Sequence, residues 1–305
     1  TTHVLFDQTI RCLIAIGFLL AGIFIPYQYY GSFPFRNPFR KNEFNENENK
    51  KVTNIPVAKI LLFVAGLLLI TVLFTNKINN THRWLSIFGF RFQPSEFARY
   101  VLIIYLSWRL AQKSEYSIHN FVWGFLPKLL PVLGIIGLII LEPHFSVSTI
   151  IFGLSFILFF FARARVVHLM FIVFVFFFAG SMMYLNFKHV RDRIDRKIFH
   201  RDSSAISSAN YQIQQSLIGI GTAGFFRFAP GESKQRDLFL PEAKGDFIYA
   251  IIGEEYGFVG SAVIVLLFFT LVYRGLKIAT RSQDEFAKLL AIGITASLGI
   301  QAFVN

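Results

Sequence analysis

Asp246 stands at the mouth of a long apolar run, and the stretch before it carries Lys234, Arg236, Glu242 and Lys244. A carboxylate among cations suits general-base catalysis on a phosphate-activated substrate. The base takes a proton while ammonium and guanidinium groups stabilise charge on the departing phosphate. The same aspartate serves equally well as the N-cap of the helix it opens. Two turns deeper, Glu254 and Glu255 fall inside the apolar run. Carboxylates at that depth are costly and face a cavity or a partner, and partnership with buried basic groups is the simpler account.

A second polar constellation is Arg83-Trp84 followed by FQPSEFARY at 92–100. Pro94, with Ser95 and Glu96 behind it, reads as the first turn of a helix. Glu96 and Arg99 are three residues apart and can pair on one helical face, which leaves Gln93 unexplained. A third constellation, Glu142-Pro143-His144, punctuates two apolar runs, and its histidine is read as a structural residue rather than a ligand. No GxxxxGK[ST], HExxH or CxxC pattern occurs, so nucleotide-driven transport and a standard zinc site have no support.

These residues must be positioned by elements that live in lipid. Of 305 residues 54% are hydrophobic, 38 are Phe, and the mean hydropathy is +0.53. That apolar surface exceeds what a soluble domain of this length can bury. Apolar runs at 10–30, 56–75, 97–111, 121–141, 146–162, 166–187, 247–273 and 287–304 approach the length of membrane-spanning helices. Helices are expected because backbone groups in lipid must be satisfied internally. The reading is an all-α polytopic bundle of about eight spans. Arg99 and Arg109, near the ends of the 97–111 run, are expected to snorkel to the headgroups.

The net charge of +12 fits cytoplasmic anchoring and implies membrane lipid rather than nucleic acid as a partner. With the 31–55 loop inside, Arg109 and Lys113, then Arg163 and Arg165, then Arg274, Lys277 and Arg281 also fall inside. Lys77, Arg83 and Arg91 are the exception, in a loop placed outside. Cys12, the single cysteine, allows no intrachain disulfide. The stretch 36–51 is Asn-rich and charged, as a flexible loop would be. The segment 188–246 is long, external and mixed, with a helix-like piece at 211–220 and a turn at Pro230-Gly231. Long translocated loops escape the positive-inside rule, so its charges need another account. Residues 188–202 read as a salt-bridged surface, with a phosphate-binding site as the alternative.

The runs RW…FQPSEFAR (83–99), YQIQQSLIGIGTAGFF (211–226) and GESKQRDLFLPEAKGDFIYAIIGEEYGFVG (231–260) resemble the SEDS family of peptidoglycan glycosyltransferases, the FtsW, RodA and SpoVE polymerases. The GESKQR stretch and the Glu-Pro-His step look more like FtsW or SpoVE than RodA. The resemblance implies polymerisation of lipid II on the outer face of the bacterial cytoplasmic membrane, in division or cell-shape maintenance. The family's key acid falls on Asp246 as the catalytic residue. Arg83, Trp84, Gln93, Ser95, Glu96, Arg99, Lys234, Arg236 and Glu242 form the implied substrate-binding set, with Glu254 and Glu255 as structural or transport-like carboxylates. The resemblance further implies a divalent cation, Mg or Mn, near the pyrophosphate. It implies a class B penicillin-binding protein, a transpeptidase, as partner.

Residues 1–305 would form one membrane domain of a ten-span fold, with the first span before Thr1 and the last after Asn305. Four positions depart from the family pattern: Arg99 replaces a lysine, His144 an aspartate, and Lys244-Gly245 a His-Thr pair. A lipid II flippase and a scaffold for the transpeptidase are the competing functions. A transporter should carry its ionisable groups near the midplane, and a polymerase should gather them outside. Here a group of them gathers at 231–246, placed outside, and Glu254 and Glu255 are the residues that favour transport.

Overall fold

The computed structural model describes residues 2–31, 33–35, 53–75, 84–87, 90–112, 118–142, 145–186, 191, 208–235 and 247–304. Each of the eight apolar runs is occupied by a helix. These are α1 (Thr2–Phe24), α3 (Val57–Leu73), α4 (Pro94–Ala111), α5 (Leu126–Leu141), α6 (Phe145–Phe161), α7 (Val166–Asn186), α9 (Ile248–Arg281) and α10 (Glu285–Val304). The short α2 (Gln28–Gly31) and the loop helix α8 (Ser208–Thr222) complete the helical set described. Four stretches are long and apolar enough to cross a membrane: Phe121–Leu141, Val166–Asn186, Ile248–Arg281 and Glu285–Val304. Shorter apolar helices lie at Cys12–Phe24, Val57–Leu73 and Phe145–Phe161. The chain is a polytopic helical membrane protein.

Two small antiparallel ribbons were not expected. β1 (Phe33–Phe35) pairs with β2 (Thr53–Ile55), Phe33 opposite Ile55. β3 (Leu85–Ile87) pairs with β4 (Phe90–Phe92), Leu85 opposite Phe92. The second ribbon delivers the chain into α4, so it fixes the direction from which Gln93 enters the helix. The charged stretch 36–51 lies outside the described residues.

The chain forms two compact units. The first comprises 1–165 and 279–294, the second 166–278 and 295–305. In the first, α4 packs against α3, α5 and α6. Ala98, Leu102, Ile103 and Leu106 of α4 meet a core that includes Leu69, Leu129, Ile139, Ile151 and Leu158, all nearly or fully buried. The most polar of these helices is therefore the innermost one, and the apolar ones face outward. Phe63 on α3, Leu130 on α5 and Phe160 on α6 are exposed, as lipid-facing side chains must be. α7, in the second unit, shows the same outward face through Phe174, Phe177 and Phe178.

Arg99 does not snorkel. It is 2% exposed, pairs with Glu96 one turn back and lies over the Tyr100 ring at 4.9 Å. Near the start of a central helix the guanidinium is surrounded by protein, and a carboxylate in the first turn is the nearest neutralising group.

Small residues allow the closest approaches. A Cβ built on Gly293 would collide with the Ile103 side chain and come within 3.3 Å of Leu158. Gly293→Val should therefore destabilise the first unit by about 1–3 kcal/mol. The expected result is a lowered Tm in detergent, with Gly66→Ala, where nothing lies within 4 Å, as the unaffected control.

Candidate functional site

In the second unit the site is built around a break in α9. At Gly257 the backbone takes φ 70° and ψ −167°, a conformation essentially reserved for glycine. The break releases hydrogen-bonding groups that an unbroken helix would satisfy, and three groups beside it find partners in the segment after α8. Phe258 N–H donates to the Gly224 carbonyl at 3.1 Å and Val259 N–H to Phe225 at 3.3 Å. The Glu255 carbonyl accepts from Ala229 N–H at 3.0 Å. A Cβ on Gly257 would press against the backbone of Phe225 and Arg227, each at 3.0 Å. Non-helical backbone at this depth is tolerable because protein satisfies it.

Glu254 ties the next part of the same segment down. Its carboxylate accepts from the Ser233 hydroxyl at 2.5 Å, from Lys234 N–H at 3.1 Å and from Gln235 N–H at 3.3 Å. Ser233 is 1% and Glu254 3% exposed, so these bonds form away from water. The other side of the segment meets α8, where a Cβ on Gly219 would stand 3.0 Å from Cγ of Gln235. Residues 233–235 are thus held between α8 and α9. Where basic partners were expected for Glu254, its partners among the described residues are one hydroxyl and two amides. Three donors aimed at one carboxylate offset the cost of burying it without a second charge. Glu255 is 9% exposed.

Beside the break lies an open groove of about 360 Å³, lined by Phe226, Arg227, Phe228, Tyr256, Val259 and Gly260. Phe225 stacks on Phe258 with centroids 5.5 Å apart, and Phe228 meets Tyr256 edge-on at 5.8 Å. The groove is apolar with one guanidinium among its aromatic rings.

The remaining expected residues, Lys234 apart, divide between the first unit and the undescribed stretches. Gln93 occupies the N-cap position of α4 (φ −108°, ψ 105°), its carbonyl accepting from Glu96 N–H at 3.2 Å. Ser95 is fully buried and Glu96 half-buried in the first turn, as the Pro94 signature predicts. Trp84 is 37% exposed. Lys234 is exposed while its backbone is clamped. Arg83, Arg236, Glu242 and Asp246 lie outside the described residues, as do Pro143, His144, Lys244 and 192–207. Among the described residues no three His, Cys, Asp or Glu side chains stand together as a metal site. Ser233 and Gln235 went unremarked as site residues. Their signal was the need of a deep carboxylate for donors, in a stretch that already held Lys234.

Residues 50–305 match the family described as cell cycle protein, FtsW/RodA/SpoVE. The chain belongs to this family. A probable peptidoglycan glycosyltransferase FtsW of Trichlorobacter lovleyi is 36% identical over 254 residues, 80% of this chain and 64% of that one. Stage V sporulation protein E of Bacillus subtilis is 31% identical over 251 residues, 81% of this chain and 68% of that one. The fold is similar to a chain of a peptidoglycan synthase complex (TM-score 0.62, 23% identity, 81% of this chain and 68% of that one). It is also similar to RodA of Thermus thermophilus (TM-score 0.53, 21% identity, 82% of this chain and 64% of that one). The chain spans about two thirds of the length of these relatives.

Within this FtsW/RodA/SpoVE chain, the clamp gives a direct expectation. Glu254→Gln keeps the shape but halves the acceptors and turns an NH₂ toward one of the two backbone donors, Lys234 N–H or Gln235 N–H. It should cost about 2 kcal/mol. The readout is hydrogen exchange at the Lys234 and Gln235 amides, expected to speed up by about tenfold or more. Unchanged protection would show that the carboxylate does not hold the segment.

Proposed function

We propose that this protein is a peptidoglycan glycosyltransferase that polymerises lipid II on the outer face of the cytoplasmic membrane. The observation that carries the reading is the clamped segment Ser233–Gln235, which joins the charged stretch 236–246 to a fixed point on α9. A stretch that carries Arg236 and Lys244, ends in a carboxylate and is anchored at a membrane entry suits a lipid-linked pyrophosphate substrate. The names of the curated relatives, peptidoglycan glycosyltransferases among them, support the same reading. The apolar groove with Arg227 at its wall offers a surface of the right character for a prenyl chain and its phosphate.

In the proposed reaction the acceptor's 4-hydroxyl attacks the donor's anomeric carbon, forming the new glycosidic bond. The bond from that carbon to the undecaprenyl pyrophosphate oxygen breaks, and the pyrophosphate leaves with its electron pair. Asp246 accepts the hydroxyl proton, and Lys234 and Arg236 stabilise the leaving group's charge. A divalent cation, Mg or Mn, is proposed only as a further neutraliser of that charge. No described residues form a site for it. The proposed partner is a class B penicillin-binding protein, which would crosslink the strands made.

The transport alternative leans on the carboxylates inside α9. Glu254 is occupied in holding backbone, which supports polymerisation over passage. The test is polymerisation of fluorescent lipid II by the purified full-length protein with its transpeptidase. Asp246→Asn should lower glycan synthesis by about a thousandfold with partner binding unchanged. Normal strands from that variant would sink the proposed role of Asp246. Loss of partner binding with intact chemistry would favour the scaffold.

A further inference from the structure

Among the described residues one non-glycine has positive φ: Arg163, at 61°, in the turn between α6 and α7. The backbone there closes the end of α6. Ala162 N–H donates to the Leu158 carbonyl at 2.9 Å, Arg163 N–H to Phe160 at 3.0 Å and Ala164 N–H to Phe159 at 3.1 Å. In a helix stop of this pattern the left-handed position belongs to glycine, because a Cβ crowds the following carbonyl. Arg163 therefore makes the turn less stable than glycine would. Capping does not call for the side chain, since those three carbonyls already have N–H donors. Nor does topology, since Arg165, two residues on, already supplies a positive charge to the same turn.

A strained residue that serves neither purpose directs attention to what its side chain can bind. Arg163 and Arg165 are both exposed and alternate with the half-buried Ala162 and Ala164. Just before the turn, Phe160 and Phe161 are exposed on α6, and their rings meet edge-on at 5.5 Å. An exposed apolar face that ends in two guanidinium groups matches both parts of one molecule, the acyl chains and the phosphate of an anionic lipid. We propose that the α6–α7 turn binds an anionic phospholipid of the adjoining leaflet, with Arg163 and Arg165 on its phosphate and Phe160 and Phe161 along its acyl chains. Each guanidinium offers a fork to phosphate oxygens, and the net negative charge of the headgroup distinguishes it from a zwitterionic neighbour. The site lies within the first unit and does not rest on the proposed reaction.

The experiment uses the full-length protein in nanodiscs of phosphatidylcholine, with and without phosphatidylglycerol. Thermal unfolding and the lipids retained in native mass spectrometry are the readouts. Arg163→Gly is the informative variant, because backbone and ligand pull it in opposite directions. In phosphatidylcholine alone it should keep its Tm or raise it, by up to about 2 °C. Its retention of phosphatidylglycerol should nonetheless fall about fivefold, as should that of Arg165→Gln. Arg163→Lys keeps the charge without the fork and should fall between. Arg274→Gln, which removes an exposed cation of α9, should leave retention unchanged. A wild-type protein that retains the two lipids equally would overturn the proposal. So would an equal loss in Arg274→Gln, which would reduce the effect to general charge attraction. A lowered Tm for Arg163→Gly in phosphatidylcholine alone would give the guanidinium a partner within the protein, and the lipid site would fall.

Discussion

A backbone broken inside a membrane helix must recover its hydrogen bonds from protein, and the second unit is organised by that demand. At Gly257 the α9 ladder fails, and water is not at hand to replace it. The segment 224–229 supplies two carbonyls and one N–H to the opened turn. Satisfying the break and fixing the loop are therefore one event. Glu254 extends the same logic by three residues, because a buried carboxylate is stable only while its donors stay aimed at it. Each part makes the other affordable: without the kink the loop has no docking groups, and without the loop the kink exposes orphaned ones.

The first unit answers the opposite problem, how to keep charge inside apolar packing. α4 holds Arg99 at 2% exposure by giving it a carboxylate three residues earlier and an aromatic face at 4.9 Å. The surrounding helices carry the hydrophobicity that a lone span would need for itself. α4 can thus stay polar at its start because α3, α5 and α6 stand between it and lipid. A guanidinium held this way has its planar face and fork constrained, where a lysine would keep only its charge.

How much of this was legible follows from what leaves a periodic trace. Eight helices show as apolar runs because the bilayer sets their length, and the start of α4 shows because proline and first-turn acids favour it. The Glu96–Arg99 pair follows from spacing alone. The ribbons at 33–55 and 85–92 do not, since three-residue strands leave no alternation to count. Nor does the break at Gly257. Gly253 and Gly260 sit in the same run and look identical in sequence, yet only Gly257 has positive φ. Arg99 was placed at the headgroups because its position in the run said nothing of its neighbours. Ser233 and Gln235 reach Glu254 across about 20 residues, a contact that only the fold of α8 against α9 creates.

The clamp bears on the proposed chemistry through the geometry it imposes rather than through reactivity of its own. A base and its supporting cations gain from positioning only when their attachment is stiffer than the motion to be suppressed. The stretch 236–246 is tethered at one end to residues held by Glu254 and leads at the other into α9, the helix that carries Glu254. Both ends of that loop therefore refer to one rigid element within a single unit. Loop closure between fixed ends leaves a connecting chain fewer arrangements than one free end would. A polymerase that must present one hydroxyl to one anomeric carbon, step after step, benefits from that restriction. A transport path gains nothing from carboxylates immobilised by their own backbone.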